Sequence, residues 1–455
     1  QNMSYVVQTR NGKIIVIDGG YAQDNSDAEY LLSFLKEKTG KEIPHVDAWI
    51  FSHYHEDHIG AFEAIATKYA DQITVDTLYY NFPTKAEVEK YCISGSAAGN
   101  YAVIERFESE KSNIKNKDGS TVKTVEILAK HENRCRGSFA IDTVHFDVLM
   151  TCDDVFAAAE CDTTLYSGTL ATNGRAYTNL TIKELLGDDF GNNTSCVIRM
   201  TVGGKNVLFL GDLAEPGGIV LKGFHDANAA NSNKYFSIKS DIVQMAHHGQ
   251  YGVAKNVYQA IDPDVCLWPT PDWVYNPSSS SSLTTTYTKQ WISELGATSY
   301  VSMNGLSTIS FPDIRQDEAV AVPEELKPFI FDATYYANQY SDVKKAYGTD
   351  ETKLYNHFLN YGIEEGRCAS PFFDVRYYMS QNSQNLLDYC KGNYLKGFSH
   401  FLKYVYEESE FASAGKKFSP IFDCKYYKNK YAKEHKEEKE KINNQEGRLR
   451  RPSLF

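Results

Sequence analysis

Three histidines and two acids occupy the six residues from His53 to His58 in "FSHYHEDHIG", directly after the apolar run "VDAWIF". His53, His55, Asp57 and His58 make the pattern H-x-H-x-D-H, and such groups rarely gather at the mouth of a buried strand without something to bind. Neutral imidazoles and carboxylates are the donors that borderline divalent metals prefer; their lone pairs and negative charge repel one another unless a cation lies between them. Successive side chains of an extended segment point to opposite faces, so the segment has to curl before His53 and His55 grip one ion and Asp57 and His58 a second. Gly60 is placed to allow that curl. Two later apolar runs end in the same way: "NVLFLGDL" closes on Gly211-Asp212 and "DIVQMAHHG" on His247-His248-Gly249. An α/β sheet collects its ligands at strand ends, and three such ends together carry more weight than any one.

The elements that must position these residues are those of an α/β domain over roughly the first 315 residues. "SYVVQT" and "KIIVID" predict a hairpin, Ser4 to Thr9 with Lys13 to Asp18, turning at Asn11-Gly12. A removed leader or a truncation would equally explain why no segment precedes it. "DAEYLLSFLKEKTG" predicts an amphipathic helix stopped by Gly40, "VDAWIF" the strand that delivers the histidines, and "AFEAIATKYA" a following helix. "HFDVLM" reads as a strand, "SEKSNIKNKDGST" as a polar loop or helix end, and "NNTSCVIRMTVGGKNVLFLGDL" as two strands about Gly203-Gly204. From Thr77 to Phe190 the pattern is otherwise less legible.

At 455 residues the chain exceeds one ordinary core. No run reaches the roughly 18 to 20 uncharged apolar residues of a membrane span, so no transmembrane segment is expected. A net charge of −12 argues against a basic nucleic-acid binder and leaves nucleic acid only as a substrate. The nine cysteines include no C-x-x-C pair, hence no zinc finger or thiol redox motif, and an odd number excludes complete intramolecular pairing. After Phe311 the composition changes: "PDIRQDEAVAVPEELKP" predicts a linker over 316–329. Then "FDATYY" at Phe331, "FDVRYY" at Phe373 and "FDCKYY" at Phe422 recur, and 15 of the 32 tyrosines lie from Phe331 onward. That recurrence predicts a mainly helical repeat domain over 330–455, two short helices per unit, whose units stack because each is too poor in apolar residues for its own core. The last unit has a basic end, ten Lys or Arg against five Glu from Lys425 to Arg451, suited to anionic wall polymers.

"VIDGG", "SHYHEDHIG", "LFLGDL" and "QMAHHG", in that order, resemble the metallo-β-lactamase superfamily over residues 1–315. The pairing of "NNTSCVIRM" with "LGD" and "HHG" most resembles its ComEC-like hydrolase branch. The resemblance implies an αβ/βα sandwich with a dinuclear metal site along one edge. It implies that His53 and His55 hold the first metal, Asp57 and His58 the second, that Asp212 bridges them, and that His247 completes the second site; the doublet leaves His248 open as that ligand. Many members supply a third histidine to the first metal, where this chain offers Asn193, Thr194 and Ser195. His131 and His145 lie too early to replace it. The tyrosine-rich repeats resemble modules of secreted and surface proteins of bacteria, which implies that location, with a cell-surface ligand as a partner.

Two divalent cations, zinc ahead of manganese, that share a water bring its pKa toward neutrality, so the expected nucleophile is a metal-bridged hydroxide. The expected substrate is a phosphodiester, including one within a cell-wall polymer, with Asp57 orienting the nucleophile and His248 donating a hydrogen bond or proton. Asn193 and Ser195 are candidates for substrate contact. Trp273 and Tyr275, with Trp268, are candidates for an aromatic box around a quaternary ammonium, as in a phosphocholine esterase. Nuclease, thioester and lactone hydrolase are the other enzymatic alternatives. The competing class is a non-catalytic adhesin or glycan-binding protein on a vestigial scaffold.

Overall fold

The computed structural model describes residues 3–22, 25–93, 96–129, 137–142, 144–169, 176–230, 237–311, 322–382, 386, 390, 393–406 and 418–419. The chain divides into two compact units, residues 1–226 with 238–310, and residues 227–237 with 311–455.

The first unit is built on two sheets. One has five strands in the order β1 (Tyr5–Gln8), β2 (Ile14–Ile17), β3 (His45–Ile50), β4 (Thr74–Tyr80), β5 (Lys123–Glu126). β1 and β2 form the expected hairpin, with Tyr5 opposite Ile17 and Gln8 opposite Ile14. From β2 to β5 the pairing is parallel, because helices carry the chain back between strands. Those helices, Ser26–Thr39 and Glu56–Lys68, bury Leu31, Leu35, Ile59, Phe62 and Ile65 against Trp49, Phe51 and Leu78 of the sheet. Gly40 ends the first of them at φ 64°, where a side chain would be strained.

Seven strands form the second sheet. Its order is β14 (Thr298–Val301), β13 (Val265–Trp268), β12 (Ile242–Gln244), β11 (Lys205–Phe209), β10 (Val197–Val202), β7 (Val144–Met150), β6 (Ser138–Ile141). β10 and β11 turn at Gly203-Gly204, both with positive φ. β11 to β14 run parallel, so their C-terminal ends share one edge. A two-stranded hairpin, β8 (Tyr166–Thr169) with β9 (Ala176–Leu180), stands apart from both sheets. With helices on their outer faces these sheets form the αβ/βα sandwich. "SEKSNIKNKDGST" proves ordered: it ends the helix Ala97–Glu110, adds one 3₁₀ turn, and closes through a Lys115–Thr121 bridge.

The second unit is helical. Its core gathers Phe331, Tyr336, Leu354, Phe358, Phe373, Tyr378, Phe398 and Phe401 in one cluster. The same kinds of contact recur from the first motif to the second. Tyr336 Oη lies 2.9 Å from His357 Nδ1, and Tyr378 Oη 2.8 Å from His400 Nδ1. Asp332 N–H donates to the Ala369 carbonyl and Asp374 N–H to that of Phe418. Each of these histidines is followed by a π-helical turn, Phe358–Gly362 and Phe401–Tyr406. The first motif uses three short helices rather than two: Ala333–Gln339, Ser341–Tyr347 and Glu351–His357. Of the expected linker, 316–321 lies outside the described residues. The remainder packs into this core, where Leu326 is fully buried. The third motif at Phe422, the basic end and His131 also lie outside the described residues.

Candidate metal centre

β2, β3, β11 and β12 deliver the polar residues to one edge, and two hydrogen bonds stitch that edge. Ser52 N–H, just past β3, donates to Asp18 Oδ1 at 2.8 Å, and Cys196 N–H, just before β10, donates to the Ser52 carbonyl at 2.8 Å. His53 and His55 follow, His55 on extended backbone as the residue that caps the next helix. Asp57 and His58 sit not on a curled loop but in the first turn of the helix Glu56–Lys68. Gly60 lies inside that helix rather than at a curl: a Cβ there would stand 2.9 Å from Ala22 N, so glycine lets the helix press against the turn after β2.

Asp212 leaves β11 through Gly211. Gln244 fixes this exit, accepting from Leu210 N–H at 2.8 Å and donating to the Gly211 carbonyl at 2.9 Å. His247 and His248 follow β12 with φ of 49° and 57°, a left-handed pair that no helix or strand supplies. One nitrogen or carboxylate oxygen each from Asp57, His58, Asp212 and His248 lies within 4.8 Å of all the others. His58 Nε2 is 3.1 Å from Asp212 Oδ1, His248 Nε2 is 3.0 Å from Asp57 Oδ2 and 3.5 Å from Asp212 Oδ2. His53 packs its ring 4.1 Å from that of His58 and 4.7 Å from that of His55.

His248 rather than His247 therefore groups with Asp57, His58 and Asp212, the alternative that the doublet left open. Its Nδ1 donates to the Pro269 carbonyl at 2.7 Å, which leaves Nε2 facing the acids. Both ring nitrogens of His248 thus have partners within the chain. His247, the more exposed of the two, stands 3.9 Å from Asp212 Oδ2.

The donor set fits a divalent cation. His53 Nε2, His58 Nε2 and Asp212 Oδ1 are buried without a hydrogen bond of acceptable geometry. Burial, with His58 and His55 adding to it, holds the His53 imidazole well below its usual pKa; burial lowers His55 too. Neither then supplies positive charge near neutral pH. Burial also opposes the charged form of His58, but Asp212, Asp18 and Asp57 outweigh it and hold its pKa well above the usual range. His248 rises likewise, burial being outweighed by Asp212 and Asp57. Without metal, then, the acids draw protons onto the two imidazoles that face them, and the site asks for positive charge. A second grouping, His45, Asp47 and Asp76, differs in that Lys13 Nζ already meets Asp47 at 2.6 Å.

Asp18, at the end of the predicted strand Lys13 to Asp18, is a functional residue that the sequence analysis does not single out. Its Oδ2 accepts from Ser52 Oγ at 2.9 Å and from His58 Nδ1 at 2.9 Å, so it fixes the imidazole with Nε2 toward Asp212. The signal available in the sequence was an acid followed by two glycines at the end of an apolar run; in the structure Asp18 takes a φ of 54°.

The four residues expected to contact substrate, Asn193, Ser195, Trp273 and Tyr275, are placed as follows. Asn193 is fully buried; its amide donates to the Asp189 carbonyl at 2.6 Å and accepts from Gly217 N–H at 2.9 Å, tying two loops together. Ser195, also fully buried, accepts from Asp212 N–H at 3.0 Å and sits beneath the acid. Tyr275 is capped by Lys289 Nζ, 4.1 Å from its ring centroid, and meets Trp268 edge-on at 5.3 Å. Trp268 is buried under Gly249, and Trp273, exposed, has no aromatic partner among the described residues with which to enclose a ligand. His145 is a buried β7 residue bonded to Asp147 Oδ1 at 3.1 Å.

The sequence profile of the metallo-beta-lactamase superfamily matches residues 1–140, which include the H-x-H-x-D-H segment. The chain carries a metallo-β-lactamase superfamily domain. Among solved structures it is similar to the metallo-beta-lactamase fold protein YhfI from Bacillus subtilis, at 12% identity and TM-score 0.29, over 58% of this chain and 77% of that one. It is also similar to Zn(2+)-bound PqqB from Methylobacterium extorquens, at 10% identity and TM-score 0.29, over 66% and 84%. A diphosphatase of the PhnP family matches at 10% identity and TM-score 0.27, over 58% and 71%. Likeness this low says nothing of what the chain acts on. No curated protein matches the chain.

Proposed function

We propose that the metallo-β-lactamase domain is a metal-dependent hydrolase of phosphodiesters, with two divalent cations, zinc ahead of manganese. The observation that carries this reading is the convergence of Asp57, His58, Asp212 and His248, with buried donor atoms left unpaired. These four residues would hold one cation; His53 and His55, with Asp212 shared, would hold the other. When bound, the cations supply Lewis acidity and a water acidified toward neutrality.

The chain's own groups set the stage for that chemistry. Asp18 and the Pro269 carbonyl keep protons on the outer nitrogens of His58 and His248, so both rings present Nε2 inward. Gln244 and Ser195 hold Asp212 so that Oδ1 faces His58 while Oδ2 faces the histidine doublet. His247 is the group left for a non-bridging phosphate oxygen or the leaving oxygen. The motif resemblance to ComEC-like hydrolases supports a phosphodiester; the capped Tyr275 and buried Trp268 speak against a phosphocholine box. The helical unit we take as a binding or spacer module of a secreted or surface enzyme, with the catalytic domain ending near residue 315. No helix among the described residues is long and apolar enough to cross a membrane.

Elemental analysis of protein purified without chelator, followed by assays on bis-p-nitrophenyl phosphate, p-nitrophenyl phosphorylcholine, single-stranded DNA, a thioester and a cephalosporin, tests this reading. Bound metal with fastest turnover of a phosphodiester is the expected result. Faster turnover of the thioester or the cephalosporin would overturn the substrate class, and absence of metal after reconstitution would favour a vestigial scaffold.

A further inference from the structure

The quartet of Asp57, His58, Asp212 and His248 supplies four donors to one position, and His53 and His55 stand outside it. The loop after the helix Ile182–Asp188 passes over that pair. At Gly191 a Cβ would lie 2.1 Å from His55 Nε2, so only glycine lets the backbone run against that imidazole. Two residues earlier stands Asp189. Its backbone is pinned on both sides: its N–H donates to the Leu186 carbonyl at 3.2 Å, and its carbonyl accepts from Asn193 Nδ2 at 2.6 Å. Its carboxylate is aimed as well. Asn192 Nδ2 lies 3.2 Å from Asp189 Oδ2 and 3.5 Å from His247 Nε2, so the amide ties the acid to the histidine doublet.

The charge around Asp189 is unbalanced. Among the described residues no lysine or arginine pairs with it, and the imidazoles within its electrostatic reach are His247 and His55. Asp189 is half-buried, and a carboxylate partly drawn out of water beside imidazoles that are themselves donors lacks the positive charge that would offset that burial. A cation held by His53, His55 and Asp189 would supply it.

Resting on the reading of this edge as a metal centre, we infer that Asp189 is a ligand of the His53–His55 half, the donor that completes this position in place of a third histidine. Asn192 is its positioning residue.

The full chain, apo and loaded with Co²⁺, tests this by absorption spectroscopy, chelator competition and elemental analysis. Wild type is expected to bind two ions. Asp189→Asn should retain the ion of the quartet and bind the other at least tenfold more weakly, with loss of the matching part of the visible spectrum. Asp189→His, which restores a strong donor, should recover the second ion with an altered spectrum. The retained ion in Asp189→Asn shows that the variant is folded. If Asp189→Asn keeps both ions with unchanged affinity and spectrum, the assignment is overturned, even where turnover is lost. If wild type binds no ion, the metal centre itself fails and the assignment with it.

Discussion

The metal edge of the first unit and the polar network of the second treat buried polar groups in opposite ways. In the helical unit, Arg367 meets Asp342 through two hydrogen bonds of 3.0 and 2.8 Å and lies over the Tyr340 ring, while Tyr336 and Tyr378 each pair with a histidine. In these pairs opposite charges and complementary donors meet within the chain itself. At the metal edge, burial holds His53 and His55 neutral, the acids draw protons onto His58 and His248, and donor atoms of His53, His58 and Asp212 stay unpaired. Burial is common to both regions. A self-balanced network reads as architecture, and an unbalanced one as a place for a missing ligand.

Four substitutions break or sharpen that contrast. Asp212→Ala, which removes the acid shared by both halves, should release both ions and reduce phosphodiester turnover by more than the roughly 10–100-fold that loss of an outer partner costs; metal analysis and initial rates check this. Phe373→Ala, in the core of the helical unit, should destabilise that unit by about 3–5 kcal/mol and leave metal content unchanged, as denaturant unfolding and elemental analysis would show. Asp18→Asn keeps the size of the side chain but removes the charge that fixes the His58 tautomer; chelator competition should show metal bound about 10–100-fold more weakly, with little change in unfolding. Smallest is Tyr336→Phe, which deletes one hydroxyl bonded to His357 and should cost about 1 kcal/mol in unfolding of the helical unit, with turnover unaltered.

Much of this contrast was legible before any coordinates. The apolar runs that end in His53, Asp212 and His247 mark strands delivering polar residues to an edge, because alternation and turn glycines are local signals. The order of His247 and His248 was not, since it depends on two left-handed residues in succession. Nor was the fate of Asn193 and Ser195: polar side chains near a site look like substrate contacts until their partners, Gly217 and Asp212, are known to lie across the fold. Asp18 stayed hidden because its partner His58 is 40 residues away. The helical unit shows the same division. Its recurring Phe-Asp starts stand out in the sequence, but the tyrosine–histidine pairs and the third helix of the first motif come from tertiary packing.

His247, His248 and Gly249 take left-handed backbone one after another, at φ 49°, 57° and 83°. For each of the two histidines that conformation costs roughly 1–2 kcal/mol. Gly249 cannot be exchanged for a larger residue without striking Trp268, whose ring a Cβ would approach to 2.3 Å. The turn is thus a loaded spring held shut mainly by the Pro269 carbonyl, Thr270 and the groups that His248 faces. An ion that grips His248 would latch it. Ligand binding and local folding are then one linked equilibrium, so affinity measured for the metal includes the work of closing this turn. Amide protons from Ala246 to Gln250 should exchange with solvent quickly in the apo chain and slow on loading, while those of β11 and β12 exchange slowly in both.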